Sequence, residues 1–386
     1  MKMKVLNILY QAYPYVSGST VRFHDLNSGY QCNTDGTDGI NVYNVVLPFY
    51  NFEDYKIFKQ DNLSYQFLTG PKNSASIYFN TLIKLIYFPI LFFQMIYVVR
   101  KISPDLVDVH AMTYSLPGVI LGRLFLRKKF KIVYNCRSVW HINIDSRLPK
   151  ILQRCIFKLD RSIMKYVDGI IYISEDVRQH YDIKNVKSII LGNRASGTPL
   201  KPKKGTLSFG YVGSILENEG IHVAIEAFKN YRARGGIGEF QIWGSGYYEE
   251  TLVSKYKNVE GVYFRGGFLP WQRKEIYSEI SHIINFRLDT ELSQTVTPIK
   301  SLECIMHGRQ LIASNVDGIR NSIPKELYQF VTFVEAENVD SLTDAMLACD
   351  TRNSGKSENI SFPNIEKYNW SNNQQKQFDY YRTLIA

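Results

Sequence analysis

Short apolar segments rich in β-branched residues alternate with longer amphipathic segments along almost the whole chain, and the alternation occurs twice. In the first half, predicted helices near residues 20–31, 77–101, 114–126 and 148–166 separate five predicted strands. These strands are Val5–Leu9, Val42–Leu47, Leu106–His110, Lys131–Asn135 and Ile170–Ile173. Such alternation is typical of a parallel sheet covered by helices, so we predict a doubly wound α/β fold.

A second alternation begins at Leu207, after the proline-rich basic segment TPLKPKKG at residues 198–205. Its predicted strands are Leu207–Val212, Phe240–Trp243, Val262–Arg265, Ile283–Phe286, Gln310–Ala313 and Phe330–Val334. A chain of 386 residues is too long for one ordinary core. We therefore predict a Rossmann-like domain over 1–195, a linker over 196–205, a second Rossmann-like domain over 206–367 and a C-terminal helix over 368–386.

The composition is that of a globular protein, with 45% hydrophobic and 21% charged residues. Five widely separated cysteines, none in a Cys-x-x-Cys pair, argue against a zinc site and against a disulfide framework. The apolar run at the N-terminus is too short for a signal peptide. These features favour the cytoplasm.

The formal net charge of +10 raises the question of nucleic acid. The basic residues are dispersed, however, and no helix-turn-helix, zinc-finger or RNP-like string is present, so we expect no nucleic-acid partner. An anionic small-molecule substrate or an anionic membrane surface explains the charge equally well.

The segment Ile77–Val99 has three possible structures. It is long and apolar, but Lys84, Pro89 and Gln94 interrupt it, and its uncharged run is shorter than the roughly 20 residues of a membrane-spanning helix. The alternatives are a core helix and an interfacial helix that turns aromatic side chains toward lipid. The sequence does not choose between these two.

The segment TPIKSLECIMHGRQLIAS, residues 297–314, carries the strongest functional signal. Thr297 suits a helix N-cap and Pro298 the first helical position, so we predict a helix that runs to Gly308. Lys300 and Glu303 then share one face. A diphosphate fits the helix start beside the Lys300 charge, and the Glu303 carboxylate fits two adjacent ribose hydroxyls. The alternative is an ordinary solvated Lys–Glu pair.

This string resembles the donor-binding segment of the retaining glycosyltransferases of family 4, in which a Pro-x-Lys-x-x-Glu helix precedes a glycine and a strand. The resemblance implies a GT-B architecture: two Rossmann-like domains that face a central cleft, with the C-terminal helix crossing back to the first domain. It also implies a nucleoside-diphosphate sugar as donor, retention at the anomeric carbon and a site without metal. In that family the residue matching Glu303 holds the ribose and the one matching Lys300 helps to hold the phosphates.

Two departures from the family pattern concern the donor site. The loop from Gly210 through Gly213 to Gly220 resembles the family's glycine-rich loop, but Ser214 and Glu219 stand where the family usually has cations. We expect Arg194, Arg287 or Lys300 to supply the missing charge. The second departure is Thr295, which replaces the first of two glutamates spaced eight apart. The loop that ends in Thr295 and Val296 still offers a hydroxyl and backbone N–H groups to a donor.

The first half contributes further candidates. The loop Ser17-Gly18-Ser19-Thr20 resembles the family's small-residue loop near the donor phosphates, and we assign Gly18 to donor binding. His110 ends a predicted strand, where the family commonly has a histidine, and we assign it a catalytic role. The remaining candidates are basic residues that suit an anionic acceptor: Arg22, Arg137 and His141.

The resemblance and the residues together predict a transferase that moves a sugar to a glycan or lipid-linked acceptor, in cell-surface polysaccharide biosynthesis. Such a protein would work in the cytoplasm or at the inner face of the cytoplasmic membrane. Two alternatives remain open: a nucleotide-sugar epimerase of the same fold, and a non-catalytic partner subunit of another transferase.

Overall fold

The computed structural model describes residues 2–13, 18–28, 40–48, 57–60, 63–70, 77–110, 115–127, 129–137, 150–200, 207–353 and 366–386. The chain divides into two compact units. The first unit comprises Met1–Gly192 and Ser371–Ala386, and the second comprises Asn193–Trp370. Each unit is built around its own parallel or mostly parallel sheet, which confirms the predicted α/β fold with two Rossmann-like sheets.

The first unit contains an eight-stranded sheet in the order β3-β4-β2-β1-β5-β6-β7-β8. The strands are β1 Met3–Leu9, β2 Ile40–Val46, β3 Ile57–Gln60, β4 Leu63–Phe67, β5 Leu106–His110, β6 Lys131–Cys136, β7 Gly169–Tyr172 and β8 Lys187–Ile190. Only β3 and β4 pair antiparallel. Strands β5, β6 and β7 are buried along almost their whole length, as expected for a parallel sheet covered on both faces.

Within the described residues, the Met1–Gly192 part of the first unit contains five α-helices. They are α1 Gly18–Asn27, α2 Ile77–Ile102, α3 Ser115–Leu126, α4 Lys150–Ile163 and α5 Glu175–Tyr181. Helix α2 contributes Leu91, Met95, Val98 and Val99 to the main core, at the three- and four-residue spacing that places side chains on one face. In the described part of the chain, no helix is both long and apolar enough to cross a membrane.

The C-terminal helix α13, Trp370–Ile385, packs on the first unit from Ser371 onward, as predicted. Tyr380, Tyr381 and Leu384 are buried against strands β1, β5, β6 and β7. The Tyr380 hydroxyl accepts a hydrogen bond from the Ile170 backbone N–H at 3.0 Å and donates to the Lys187 carbonyl at 2.6 Å. A Cβ at Gly169 would lie 2.5 Å from that hydroxyl, so this contact requires the glycine.

The second unit contains a six-stranded parallel sheet in the order β11-β10-β9-β12-β13-β14. The strands are β9 Ser208–Val212, β10 Glu239–Trp243, β11 Val262–Gly266, β12 His282–Asn285, β13 Gln310–Ser314 and β14 Val331–Val334. The helices are α6 Ile221–Ala233, α7 Glu249–Tyr256, α8 Arg273–Glu279, α9 Glu291–Thr295, α10 Lys300–Met306, α11 Asp317–Arg320 and α12 Val339–Asn353. The strand order reverses between β9 and β12, and open α/β sheets bind ligands at the carboxyl ends of strands at such a point.

Candidate functional site

The reversal of strand order brings two loops of the second unit together. Strands β9 and β12 are parallel neighbours, with Phe209 opposite His282 and Gly210 opposite Ile283. Beyond their carboxyl ends, Gly213 and Ser214 follow β9 and Arg287 follows β12. Side chains of these two loops therefore meet at one edge of the sheet.

A buried group of charges lies at this edge, which we call the switch-point cluster: Tyr211, Glu219, Arg287 and Lys300. The Lys300 ammonium forms an ion pair with one Glu219 oxygen, and Arg287 binds the other oxygen at 3.0 Å. Lys300 Nζ also donates to the Tyr211 hydroxyl at 2.9 Å and lies 4.4 Å from the centre of the Tyr211 ring. The cluster thus holds two cations around one carboxylate, a net charge of +1.

The electrostatics of the cluster follow from its burial and its pairing. Burial alone would raise the pKa of Glu219, but Arg287 and Lys300 outweigh this and lower it to about 2. Burial lowers the pKa of Lys300 to about 8, against the opposing effect of Glu219. Glu219 is therefore ionised near neutral pH, and Lys300 loses its charge as the pH rises through about 8.

Two glycines set the shape of the cluster. Gly220 has φ +63°, and a Cβ there would lie 2.0 Å from the Phe286 carbonyl oxygen. Only glycine fits this left-handed, close-packed position, which fixes the adjacent Glu219 next to β12. A Cβ at Gly213 would lie 3.4 Å from Lys300 Nζ, so a larger side chain at this position would crowd the ammonium.

Helix α10, which carries Lys300 and Glu303, begins later than predicted. It spans Lys300–Met306 with Ile299 at the N-cap, so the prediction that Thr297 is the N-cap and Pro298 the first helical residue is wrong. Thr297 instead accepts hydrogen bonds from the Asn193 amide on its carbonyl at 2.7 Å and on its hydroxyl at 3.3 Å. Gly308, at φ +74°, lies just beyond the helix end. Helix α10 is only seven residues long, so its main contribution to the site is to align the side chains of Lys300 and Glu303.

Glu303 lies one turn after Lys300 and is almost fully buried. One of its oxygens pairs with Arg273 at the start of α8, and the other accepts a hydrogen bond from the Tyr277 hydroxyl at 3.3 Å. The Tyr277 ring stacks on His307 with 4.6 Å between ring centres. Glu303 and Lys300 thus have different partners, and the alternative of a solvated surface pair between them does not hold.

The other predicted donor residues of the second unit fall into two groups. Ser214 and Val296 contribute backbone carbonyls: Tyr211 donates to the former at 2.5 Å and Arg287 to the latter at 2.9 Å. Both therefore belong to the edge of the switch-point cluster. The Thr295 hydroxyl, in contrast, donates to the Glu291 carbonyl within helix α9. Arg194 is half-buried, and burial lowers its pKa. In the described part of the chain, no hydrogen bond or ion pair links Arg194 to Lys300 or to the rest of the switch-point cluster.

His110 of the first unit lies in a buried network at the carboxyl end of β5. Its Nε2 lies 3.1 Å from the Asp108 carboxylate and 3.3 Å from the Asn7 side-chain oxygen, and its Nδ1 contacts Arg137. Tyr381 of the C-terminal helix also donates to Asp108. Because the Arg137 guanidinium only donates, Nδ1 is the acceptor and Nε2 carries the proton.

This network leaves His110 little room for direct chemistry. Burial lowers the pKa of His110, so the ring is neutral at pH 7. Burial works to raise the pKa of Asp108, but His110, Tyr381 and Arg137 hold it below its ordinary value. Both ring nitrogens are occupied, and the side chain is 2% exposed. The ring thus contacts Arg137 through Nδ1, and the catalytic role of His110 stays a prediction.

The basic residues predicted to meet an acceptor differ in their surroundings. Arg22 is 2% exposed and donates to the Leu191 carbonyl at 2.6 Å, a contact inside the first unit. Arg137 donates to the Ser19 carbonyl at 2.8 Å, in the first turn of α1, which begins at the exposed residue Gly18. Arg137 and Ser19 are thus neighbours. His141 lies outside the described residues.

Sequence reasoning missed three residues of the second unit that hold the predicted ones. Tyr211 orients Lys300, while Arg273 and Tyr277 hold Glu303. Arg273 and Tyr277 precede Glu303 by 30 and 26 residues, so no local spacing links them to it. In the sequence, Tyr211 lies between Gly210 and Gly213, and only this position could have indicated that it belongs to the site.

Comparison with known proteins concerns the fold of the chain and the sequence of its second unit. Residues 206–350 match the profile of the family described as Glycosyl transferases group 1. Sucrose-phosphate synthase from Thermosynechococcus elongatus has a similar structure, with a TM-score of 0.76 at 14% identity over 99% of both chains. The catalytic domain of starch synthase IV from Arabidopsis thaliana, bound to ADP and acarbose, gives 0.67 at 11% identity over 100% of both chains.

The Anabaena protein HepE, solved in complex with UDP, gives a TM-score of 0.62 at 11% identity over 100% of this chain and 97% of its own. None of the curated protein sequences matches the chain. The chain therefore has the GT-B fold, and residues 206–350 of its second unit form a domain that matches the glycosyl transferases group 1 profile. The switch-point cluster and Glu303 both lie within that domain.

Proposed function

We propose that this protein is a retaining glycosyltransferase of family 4, which moves a sugar from a nucleoside-diphosphate donor to a glycan or lipid-linked acceptor. The observation that carries the proposal is the switch-point cluster, where Lys300 and Arg287 converge one helical turn from the buried carboxylate Glu303. The cations suit a diphosphate and the carboxylate suits the ribose hydroxyls. HepE was solved with UDP and with UDP-glucose, and it shares the fold.

The proposed chemistry needs positioning and charge stabilisation rather than a protein nucleophile. The bond between the anomeric carbon and the diphosphate oxygen breaks while the acceptor oxygen bonds to the same face of the sugar. The acceptor proton passes to the departing diphosphate. Lys300 and Arg287 offset the negative charge that grows on that diphosphate, and this is the step they accelerate.

Glu219 fits this scheme as an internal counter-ion. In the switch-point cluster it lies between the two cations and keeps them together despite their mutual repulsion. A diphosphate that approaches from the Gly213 side offers further acceptor oxygens to the same cations. We propose that Arg287 and Lys300 together take the place of the family cation that Glu219 replaces.

The pathway we propose is the synthesis of a cell-surface polysaccharide: capsule, O-antigen or exopolysaccharide. Among the proteins of similar structure is the lipopolysaccharide outer core galactosyltransferase WaaB, with a TM-score of 0.60 at 15% identity. We further propose that the protein works in the cytoplasm, at the inner face of the membrane, where lipid-linked acceptors are found.

Release of nucleoside diphosphate tests the proposed function. The purified protein, incubated with a panel of nucleotide sugars and short glycan acceptors, is expected to release nucleoside diphosphate from at least one donor. If the protein changed the configuration of the sugar in the nucleotide sugar and released no nucleoside diphosphate, it would instead be an epimerase. No reaction with any donor would favour a non-catalytic partner subunit, and either result would contradict the proposal.

Activity is expected to persist in excess chelator, since the proposed site uses side-chain cations in place of a metal. Within the described segments, no three His, Cys, Asp or Glu side chains are grouped so that they could hold a metal ion. The rate of nucleoside diphosphate release should be equal with and without EDTA. Strong inhibition that magnesium or manganese reverses would show that the site requires a metal.

Glu303→Ala is expected to weaken donor binding by at least about tenfold, because each charge-assisted hydrogen bond to the ribose contributes roughly 1.5 to 3 kcal/mol. The measurement is the dissociation constant of the nucleoside diphosphate for the variant and the wild type. Glu226→Ala, which removes a glutamate from an exposed helical pair in the same unit, is the matched control. Equal affinities for Glu303→Ala and wild type would show that this carboxylate does not contact the donor.

A further inference from the structure

Helix α2 exposes a continuous apolar stripe on the side opposite the core. Ile86, Ile90, Phe93 and Tyr97 follow one another at four, three and four residues, and their exposed fractions are 69%, 52%, 64% and 62%. This spacing places them on one face of the helix. Lys101, four residues after Tyr97, continues the same face and is exposed.

Helix α3 extends this stripe. Its Gly122 faces Ile96 of α2, since a Cβ at that glycine would lie 3.7 Å from the Ile96 side chain. Leu121, Leu124 and Phe125 beside it are 48%, 67% and 70% exposed. We call these seven residues of α2 and α3 the apolar face. Soluble monomers seldom expose so many large apolar side chains together unless the surface binds something.

The charged residues of the two helices are all basic, and one of them, Arg123 of α3, forms an ion pair with Asp168 at 2.5 Å. Neither α2 nor α3 contains an aspartate or a glutamate, whereas Arg100 and Lys101 end α2 and Lys129 follows α3. These three cations are exposed. The surface therefore combines lipid-compatible side chains with positive charge, the composition of helices that lie in a membrane interface.

A basic cavity lies close to the same surface. It has a volume of about 470 Å³ and is lined by Arg161, Lys165, Asp182, Lys184, Asn185 and Val186. Arg161 and Lys184 approach Asp182 at 3.4 and 3.8 Å, so three cations face one carboxylate. Arg123 of α3 connects the two regions, because it donates to the carbonyl of Tyr166, the neighbour of Lys165, at 3.1 Å.

We infer that the first unit docks on an anionic phospholipid bilayer, with the apolar face in the interfacial layer and a lipid phosphate in the basic cavity. Charge complementarity favours this occupant over a second copy of the chain. In a symmetric dimer through the apolar face, the cations that border this face on one copy would lie near the same cations of the other copy and repel them. An anionic leaflet attracts these cations instead. The inference concerns the first unit and does not depend on the donor site of the second.

Co-flotation of the purified chain with vesicles tests this inference. We expect the wild type to float with vesicles of phosphatidylcholine and phosphatidylglycerol and to bind far less to phosphatidylcholine alone. Phe93→Ser with Phe125→Ser should reduce the partition coefficient at least about tenfold, because both side chains leave the lipid. Ile237→Ser with Tyr247→Ser, at comparably exposed positions of the second unit, should bind as wild type.

A second double variant and its control test the role of the basic cavity. Lys165→Ala with Lys184→Ala should reduce binding to anionic vesicles by roughly fivefold for each lost cation and weaken its salt dependence. Lys257→Ala with Lys274→Ala, exposed lysines of the second unit, should leave both unchanged.

Three results would overturn the inference. The first is that the phenylalanine variant floats like wild type. The second is that the wild-type protein is a dimer by light scattering and does not bind vesicles. The third is that the cavity binds inorganic phosphate but the protein does not float with vesicles. Circular dichroism of each variant confirms that it is folded, and vesicle binding needs no donor, so failure here is distinct from failure of the proposed transfer.

Discussion

Lys300→Ala is expected to lower kcat about a hundredfold, since removing one preorganised group that stabilises charge in a transition state typically has an effect of this size. The fold should persist, because Glu219 keeps its ion pair with Arg287. The measurement is nucleoside diphosphate release at saturating donor. Lys229→Ala, which removes a half-exposed lysine from its pair with Glu226, is the matched control.

The pH profile gives the Lys300 prediction a second readout. Burial lowers the pKa of Lys300 to about 8, so the ammonium is present below that pH and is lost above it. The wild-type rate should therefore decline as the pH rises through about 8, and the residual rate of Lys300→Ala should lack this decline. A variant that turns over at the wild-type rate would remove Lys300 from the mechanism.

Glu219→Gln is expected to produce the largest loss of stability. The change leaves Lys300 and Arg287 buried beside each other without their shared carboxylate, and removing one partner of a buried ion pair costs roughly 3 kcal/mol or more. For a domain of this size, that loss corresponds to a fall in Tm of roughly 6 to 12 °C. The measurement is thermal unfolding without ligand, with Glu226→Gln, an exposed ion-pair partner, as the control.

Ligand should partly restore Glu219→Gln. A diphosphate can occupy the place of the lost carboxylate between the two cations, so a nucleoside diphosphate should raise the Tm of this variant more than that of the wild type. An unchanged Tm without ligand, or an equal rise in both proteins, would show that Glu219 is not the counter-ion of the phosphate-binding cations.

The strands of both sheets were predictable because buried parallel strands form continuous apolar runs with β-branched residues. Leu106–His110 has the same bounds in the structure, and the other predicted strands agree within two residues at each end. Three strands were missed: Ile57–Gln60, Leu63–Phe67 and Lys187–Ile190. Two of them, β3 and β8, form the edges of the first sheet, and none exceeds five residues, so their patterns do not carry a strong apolar signal.

The site was predictable where its members are close in sequence. Lys300 and Glu303 follow from helical spacing, whereas their partners do not. The N-cap prediction for Thr297 was wrong because Asn193, over a hundred residues earlier, satisfies that side chain and the helix starts at Lys300. Glu219 is an ion-pair partner of Arg287 and Lys300, which only the fold brings together.

A crystal structure of the protein with a bound nucleoside diphosphate tests the central claim most directly. The account predicts phosphate oxygens within hydrogen-bond distance of Lys300 and Arg287, and ribose hydroxyls on the Glu303 carboxylate. A nucleotide bound elsewhere, with Lys300 still enclosed by Glu219 and Tyr211 and with Glu303 still occupied by Arg273 and Tyr277, would contradict it.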